Sequence, residues 1–273
     1  MNFIKTPLQK AETAIVQADA VLIGAGAGLS TAAGINYSGP DFEKAFADMI
    51  AHYGFTDLYT SSFYPFKSEE EKWAYWSRHI DYARFAPEGK PLYSHLLEMV
   101  QGKEYFVITT NVDGQFAKAG FDPDKVFEVQ GDYGLMQCAT ACHPKRYSNE
   151  SLVKQMVAEQ QDCRIPSALV PRCPVCGGPM EINVRKDRYF VEDNRWHLQA
   201  DRYYSFLEKS LGKRKLVLLE YGVGYNTPTI IRFPFERMAA SYPDVTLIRI
   251  NKDYRDCQTP GISHFIGLET LFL

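Results

Sequence analysis

The chain lacks the excess of charge that is typical of proteins that bind nucleic acid or anionic membranes. Lys and Arg together number 30 and Asp and Glu 33, which leaves a net charge of −3 over 273 residues. It also lacks an apolar run of transmembrane length, and its mixed N-terminus MNFIKTPLQK does not resemble a signal peptide. We therefore expect a cytoplasmic protein whose partners include neither nucleic acid nor a membrane.

Cysteine is scarce, with six in the chain, and in a cytoplasmic protein this favours metal ligands or buried thiols over disulfides. Four of the six form two close pairs, Cys138 with Cys142 and Cys173 with Cys176. Two to four residues between paired cysteines suit a tetrahedral zinc site closed by four thiolates, which is structural. The alternative is a set of reduced, metal-free thiols.

Five short apolar segments indicate a parallel sheet. Each is apolar and either ends in Gly, Asn, Asp or Thr or runs directly into a glycine turn, and helical segments lie between them. The five segments are 18–23, 105–114, 125–129, 215–224 and 245–251. The predicted fold class is therefore α/β with an open parallel sheet, in which ligands bind at the carboxyl ends of the strands.

A helix is predicted over residues 68–85, where Ser68 precedes three glutamates in a capping arrangement. Its aromatic side chains repeat at helical spacing, which favours a core stripe over a ligand platform. The stripe consists of Trp73, Tyr75, Trp76, Ile80 and Tyr82.

A glycine-rich turn follows the first strand, with glycine at positions 24, 26 and 28. Glycine at such a turn lets a ligand approach the backbone, and the next helix favours an anion such as a pyrophosphate. Ser30 and Thr31 are expected to cap that helix. The spacing departs from the usual dinucleotide motif because Leu29 occupies the third glycine site, so a turn required only for packing is the alternative.

These motifs, in this order, resemble the sirtuin family. The matching segments are Gly24-Ala-Gly26, Thr109-Thr-Asn-Val-Asp-Gly114, Gln130-Gly131, the four paired cysteines, Gly222-Val-Gly224 and Ile250-Asn251. The resemblance implies a Rossmann-type NAD-binding domain over 1–42, 92–134 and 198–273. It also implies an inserted smaller domain over 43–91 and 135–197, with a helical lobe and a zinc ribbon, and NAD as a consumed cosubstrate.

The resemblance also implies the residues that bind NAD. The glycine-rich loop after the first strand would hold the pyrophosphate. The residues at the end of the second strand would hold the nicotinamide and its ribose, and the loops near the C-terminus would hold the adenosine. The expected cofactor-binding residues are Gly24, Ala25, Gly26, Ser30, Tyr37, Asn111, Asp113, Gln130, Gly222, Val223, Gly224, Asn226, Asn251 and Lys252. The expected zinc ligands are Cys138, Cys142, Cys173 and Cys176.

The departures from the family pattern bear on the reaction. Deacylating sirtuins place a histidine base where this chain has Gln130, and a carboxamide cannot take up a proton at neutral pH. The segment after Gly34 is also altered, so either Asn36-Tyr37 or Asp41-Phe42 is the equivalent of the family's NAD contact, and the expected arginine is Glu43. Both features are similar to the class M sirtuins, which are encoded beside macrodomain proteins in microbes.

Class M membership implies a protein ADP-ribosyltransferase whose acceptor is a lipoylated carrier protein like the glycine-cleavage H protein, with a macrodomain protein as a further partner. The expected catalytic residues are Asn111, Gln130, Asp132 and Arg185. Asp132 is the nearest candidate for a base and Arg185 could hold an acceptor or a phosphate. Asp132 could equally be a turn residue, and Arg185 a surface charge.

Three other functions compete with this one. A deacylase or delipoylase would need a substitute base, an NAD glycohydrolase would use water as the acceptor, and an NAD-sensing module would not turn NAD over.

Overall fold

In the computed structural model, residues 5–257 and 259–270 are described, and they form two sheets with helices between and around them. The helices, in chain order, are α1 Pro7–Gln17, α2 Ala27–Ala32, α3 Pro40–Ala45, α4 Ala47–Tyr53, α5 Leu58–Ser61, α6 Glu69–Ile80, α7 Pro91–Val100, α8 Gln115–Lys118, α9 Glu150–Glu159, α10 Asn194–Ser210 and α11 Arg232–Ser241. The strands are β1 Ala20–Ala25, β2 Glu104–Thr109, β3 Val126–Glu128, β4 Gly131–Cys138, β5 Arg146–Ser148, β6 Met180–Val184, β7 Leu216–Tyr221, β8 Val245–Ile250 and β9 Phe265–Leu268.

The larger sheet has six parallel strands in the order β3-β2-β1-β7-β8-β9. The chain builds one half outward from β1, then returns to β7 on the other side of β1. Because the connections after the neighbouring strands β1 and β7 run in opposite directions, a crevice opens at the carboxyl ends of these strands. Doubly wound folds bind dinucleotides in this crevice. The α/β fold class is confirmed, and β9 is a sixth strand beyond the five predicted.

Helices cover both faces of this sheet. One face packs against α1, α7 and α8, and the other against α10 and α11. Strand β1 is buried along its whole length, because it lies at the centre of the sheet between these two layers.

A separate core lies under the smaller, antiparallel sheet, whose order is β5-β4-β6. Helices α3, α4, α6 and α9 contribute to this core, and the predicted aromatic stripe of α6 packs within it. Ser68 caps α6 by accepting a hydrogen bond from the backbone N–H of Glu71 at 3.2 Å, as predicted. Beyond α6 the helix widens into one π turn, Asp81–Phe85.

The predicted domain boundaries stay a prediction, and two elements cross them. β4 begins in the range assigned to the larger domain but pairs in the smaller sheet, and α10 begins in the range assigned to the smaller domain but packs on the larger one. Within the described part of the chain, no helix is long and apolar enough to cross a membrane.

Candidate active site

The crevice is floored by the two loops that follow β1 and β7. The N–H of Gly26 donates to the Tyr221 carbonyl at 3.0 Å and that of Gly28 to the Gly222 carbonyl at 2.9 Å. A Cβ atom on Gly26 would lie 2.7 Å from the Gly222 oxygen, and one on Gly222 would lie 2.2 Å from the Leu29 nitrogen. The glycines are therefore required for the two loops to pack backbone against backbone.

Gly24 has a different role from Gly26. It lies inside β1, where a Cβ atom would come within 2.6 Å of the Phe235 ring on α11. Close packing of α11 on the sheet accounts for this glycine, while its predicted contact with the cofactor stays a prediction. Ala25 ends β1 and is buried.

Ser30 does not cap the helix that follows the glycine turn, so that expectation is wrong. Helix α2 begins after Gly26 without a side-chain cap, and Ser30 lies inside it. Its hydroxyl donates to Asp113 Oδ2 at 2.5 Å and lies 2.9 Å from the hydroxyl of Tyr93. Thr31, also inside α2, bonds back to the Ala27 carbonyl.

Asn111 joins this cluster from the end of β2. Its amide nitrogen donates to the Gly26 carbonyl at 3.0 Å and to Ser30 Oγ at 3.1 Å. Its backbone N–H donates to Thr109 Oγ1 at 3.0 Å, which fixes the turn after the strand. Three of the predicted cofactor residues, Ser30, Asn111 and Asp113, thus meet in one buried hydrogen-bonded group at the crevice.

Asp113 is almost completely buried and accepts a second hydrogen bond from the Gln115 N–H at 3.1 Å. Burial raises the pKa of this carboxyl above its usual range, and the hydrogen bond from Ser30 opposes the shift.

At the other side of the crevice, Asn251 ties the ends of β7 and β8 together. Its amide nitrogen donates to the Val223 carbonyl at 3.0 Å, and its amide oxygen accepts from the N–H groups of Asp253 and Tyr254. Gly224, Asn226 and Lys252 lie in the same pair of loops, with Asn226 and Lys252 exposed.

A cavity of about 540 Å³ adjoins these loops. Tyrosine rings and acidic side chains line much of it, and the rings of Tyr225 and Tyr254 meet edge to face at 5.0 Å. The cavity opens beside the loops that are predicted to hold the adenosine.

Gln130 lies at the turn between β3 and β4. Its carbonyl accepts from the Arg185 N–H at 3.0 Å, and Gly131 follows with φ +96°. A Cβ atom on Gly131 would lie 2.0 Å from the Asn183 carbonyl oxygen, so the turn requires glycine there.

Asp132, the predicted candidate for a base, is held by Arg84. Arg84 Nε lies 2.8 Å from Asp132 Oδ1 and its terminal nitrogen 3.2 Å from Oδ2, and Oδ1 also accepts from the Gly134 N–H at 2.7 Å. Both carboxylate oxygens are therefore engaged, so Asp132 anchors Arg84 and the start of β4. Its role as a base stays an untested prediction with this geometry against it.

Arg185 is likewise engaged. It forms an ion pair with Glu192 at 2.5 Å, and its guanidinium carbon lies 4.3 Å from the centre of the Phe190 ring. To contact an acceptor or a phosphate, as predicted, Arg185 would have to break its ion pair with Glu192 or bind both groups at once.

Of the two segments that could be the NAD contact after Gly34, the one with Tyr37 lies near the Asn111 turn, and which segment contacts NAD stays a prediction. Tyr37 interacts with Tyr133, whose backbone N–H donates to the Val112 carbonyl between Asn111 and Asp113. Burial, reinforced by Tyr133, raises the pKa of Tyr37 well above its usual value, so this phenol stays protonated. Phe42 is instead buried in the core of the smaller sheet, and Asp41 is exposed.

The four paired cysteines come together at the end of β4 and the turn before β6. All six cysteines of the chain are free, and the four sulfur atoms lie within 4.8 Å of one another. The Cys138–Cys176 and Cys142–Cys173 sulfur distances are both 3.7 Å. A tetrahedron of thiolates about 2.3 Å from zinc has sulfur atoms about 3.8 Å apart, so the cluster fits a structural zinc ion.

Comparison with known proteins decides the family. The model of the Sir2 family matches residues 26–202, which include Gly26 and Gly28 of the glycine turn, the Asn111 turn and all four paired cysteines. The chain belongs to the Sir2 family. Sirtuins are NAD-dependent enzymes, so NAD is the cosubstrate of this one, as the resemblance implied.

Among its relatives, this sirtuin is 42% identical over 241 residues to the protein ADP-ribosyltransferase of Staphylococcus aureus strain Mu50, covering 88% of this chain and 76% of the other. It is 33% identical to a probable bifunctional ADP-ribose hydrolase/ADP-ribosyltransferase of Fusarium oxysporum, covering 85% of this chain and 40% of that longer protein. Among solved structures, a Sir2 homologue in complex with 2′-O-acetyl ADP-ribose has a TM-score of 0.59 at 17% identity, covering 94% of this chain and 90% of that one. That structural likeness confirms the fold.

Three residues of this sirtuin site were not assigned from the sequence. Tyr93 comes from α7, and Arg84 from the π turn after α6. Neither lies in a motif, so no local signal marks them. Glu128 ends β3, and its place at the end of a predicted strand was a signal that the sequence did offer.

Proposed function

We propose that this sirtuin is a protein mono-ADP-ribosyltransferase, which cleaves nicotinamide from NAD and transfers ADP-ribose to a side chain of an acceptor protein. The observation that carries the proposal is Gln130, an amide at the position where deacylating sirtuins have a titratable imidazole. Asp132, the substitute base suggested by the sequence, is engaged with Arg84 on both oxygens. The names of the relatives from Staphylococcus and Fusarium support the same reaction.

NAD supplies an N-glycosidic bond whose cleavage releases nicotinamide as a neutral leaving group. In this proposal the amide of Asn111 and the carboxyl of Asp113 position the nicotinamide and its ribose. Both are preorganised, because Ser30 and the Gly26 carbonyl hold them in one geometry before NAD binds. Gln130 orients the ribose hydroxyls by hydrogen bonds and removes no proton.

The rest of the cosubstrate follows the two floor loops. We place the pyrophosphate over the Gly24–Ser30 turn, and the adenosine by the residues Gly222–Gly224, Asn226, Asn251 and Lys252. The neighbouring cavity with Tyr225 and Tyr254 offers room at the adenosine end. We keep the division into a Rossmann-type domain and an inserted small domain as part of this proposal, since the apolar cluster of the smaller sheet is separate from the two on the larger sheet.

For the acceptor we propose a lipoylated carrier protein like the glycine-cleavage H protein, with a macrodomain protein as a further partner. The resemblance to class M sirtuins supports this acceptor. That resemblance is based on Gln130 and on the segment after Gly34.

The first prediction is that label from NAD labelled in its adenylate becomes covalently attached to the lipoylated carrier. The matched control is the same carrier without its lipoyl group, which should accept less label. Mass spectrometry of the carrier and chromatography of the small molecules are the measurements. Acylated ADP-ribose as the main product would support a deacylase, free ADP-ribose a glycohydrolase, and unconsumed NAD a sensing module, and each would contradict the proposal.

A further inference from the structure

Three carboxyl groups surround Arg84 at the carboxyl ends of β2 and β3. Arg84 binds Asp132 through two hydrogen bonds, and the charges of Asp132, Glu128 and Asp113 all favour its cationic form. The guanidinium also covers the turn after Asp113, since a Cβ atom on Gly114 would lie 2.3 Å from its central carbon. This acidic group shares Asp113 with the buried cluster of Ser30, Asn111 and Asp113.

Two of the three carboxyl groups are fully engaged. Asp132 bonds Arg84 and the Gly134 N–H, and Asp113 bonds Ser30 and the Gln115 N–H. Glu128 differs from both. In the part of the chain that the structure describes, its half-buried carboxyl makes neither a hydrogen bond nor an ion pair within 4.0 Å.

The position of Glu128 in the sheet is fixed. It is the last residue of β3, it pairs in register with Thr109 at the end of β2, and the next N–H, that of Val129, donates to the Thr109 carbonyl at 3.2 Å. Thr109 Oγ1 in turn accepts from the Asn111 N–H. Glu128 therefore lies one strand away from the Asn111 turn and two residues before Gln130.

We infer that the ionised carboxylate of Glu128 stabilises the positive charge that develops on the ribose carbon as nicotinamide leaves. The inference rests on one part of the proposed function, which is that the bond between nicotinamide and ribose in NAD is cleaved. The C–N bond breaks and its electron pair leaves with nicotinamide, while a lone pair of the acceptor forms the new bond to the same carbon; a carboxylate acceptor has no proton to lose, and a neutral acceptor releases its proton to solvent. Glu128 exchanges no proton in this step and acts through its charge.

The electrostatic surroundings of Glu128 make this role dependent on pH. Burial, and then repulsion by Asp132 on β4, raise the pKa of Glu128 to about 7. Three arginines oppose the shift: Arg84 of the π turn, Arg146 of β5 and Arg195 of α10. Since the ionised form is the active one, the rate rises as pH increases through this pKa.

The second prediction is tested by release of nicotinamide from about pH 5.5 to about pH 8.5. Release counts every turnover, whichever acceptor captures ADP-ribose. The wild type should show a rising limb centred near the pKa of Glu128. Glu128→Gln should lack that rising limb, and its rate at alkaline pH should be about 10–100-fold lower than that of the wild type. Its NAD affinity, measured by calorimetry, should stay within about twofold of the wild type. Glu104→Gln, a change at the exposed opposite end of β2, is the matched control and should behave as the wild type.

An active wild type whose rate and pH limb persist in Glu128→Gln would overturn the inference and leave the proposed function standing. Transfer to water or to an acyl group would overturn the proposed acceptor alone, because nicotinamide release still reports on Glu128. A wild type that releases no nicotinamide would overturn both. If Glu128→Gln fails to fold, Glu128→Asp decides, since aspartic acid is intrinsically more acidic and should move the limb to lower pH. An unmoved limb in that variant would contradict the inference.

Discussion

At the scale of single residues, the site owes its geometry to hydrogen bonds within the protein. Asn111 is fixed by Gly26, Ser30 and Thr109, so its amide cannot turn freely. Gln130 is held mainly through its backbone, where its carbonyl accepts from Arg185. The two amides therefore differ in how much structure depends on their side chains.

The third prediction follows from this difference. Gln130→Ala should slow nicotinamide release about 10–100-fold, because a lost positioning hydrogen bond costs about 1–3 kcal/mol. Asn111→Ala should be at least as damaging, because it also frees the Gly26 carbonyl and the Ser30 hydroxyl. Steady-state kinetics with both variants, with thermal unfolding as the control for folding, is the measurement. A Gln130→Ala enzyme at full speed would show that this amide has no positioning role.

Sequence reasoning identified the site residues that lie in motifs at strand ends, such as Asn111 and Asp113. It could not identify Arg84, because an arginine within a helical segment gives no sign of which carboxylate it will meet. His79 shows the same limit. It was not predicted to be special, yet it is fully buried beside Tyr75 and Tyr133, and burial lowers its pKa to about 3.

At the scale of elements, the close approach of the loops after β1 and β7 defines the floor of the site. Glycine at positions 26, 28 and 222 allows that approach. The sequence marked these glycines as a turn for a ligand, with packing as the alternative. The close packing of the two loops is sufficient to require glycine at these positions. A bulky side chain at Gly26 would therefore displace the loop after β7 before the side chain reached any phosphate.

The fourth prediction tests that floor. Gly222→Ala introduces a side chain at φ +64° that would meet the Leu29 nitrogen, so it should destabilise the protein by about 2–5 kcal/mol and weaken NAD binding. Gly224→Ala is the matched control for stability, because a Cβ atom there meets no heavy atom within 4 Å. Thermal unfolding and calorimetry with NAD are the measurements. Equal unfolding temperatures for the two variants would contradict the packing argument.

Other elements were harder to predict. β9 has only four residues, of which Phe265, Ile266 and Gly267 are partly exposed, so it lacks the buried apolar run that marked the other strands. The antiparallel sheet was missed because its strands lie around the cysteine pairs, where metal ligation and not a strand pattern was predicted: β4 ends at Cys138, β5 lies between the pairs and β6 follows Cys176. Buried and exposed residues alternate little along these strands, and the pairing between β4 and β6 shifts register between Asp132 and Met136.

At the scale of the whole molecule, apolar clusters lie on both faces of the larger sheet and under the smaller sheet, and the last includes two of the paired cysteines, Cys138 and Cys173. Zinc bound by all four would join the end of β4 to the turn before β6 and so hold the smaller sheet together. The spacing of the cysteines was sufficient to predict this cluster, because metal ligation constrains the sequence locally.

The fifth prediction is that the purified protein carries about one zinc ion per chain. Cys173→Ser should lose most of it and unfold at a lower temperature, since a hydroxyl replaces one of four thiolates. Cys257→Ser is the matched control, because Cys257 lies outside the cluster. Metal analysis and thermal unfolding are the measurements, and a wild type with clearly less than one zinc ion would refute the site.

The π turn after α6 determines the direction in which Arg84 points. A π turn contains one residue more than the α-helical turn it replaces, and each residue of an α-helix advances the side chains by about 100°. Deleting one residue from Asp81–Phe85 would convert the turn to an ordinary helix and rotate Arg84 away from Asp132. The extra residue of the π turn thus sets the direction in which Arg84, the only cation bonded to Asp132 within the described residues, reaches the crevice. A change of one residue in the length of this turn is therefore enough to break the link between the helix that follows α6 and the start of β4.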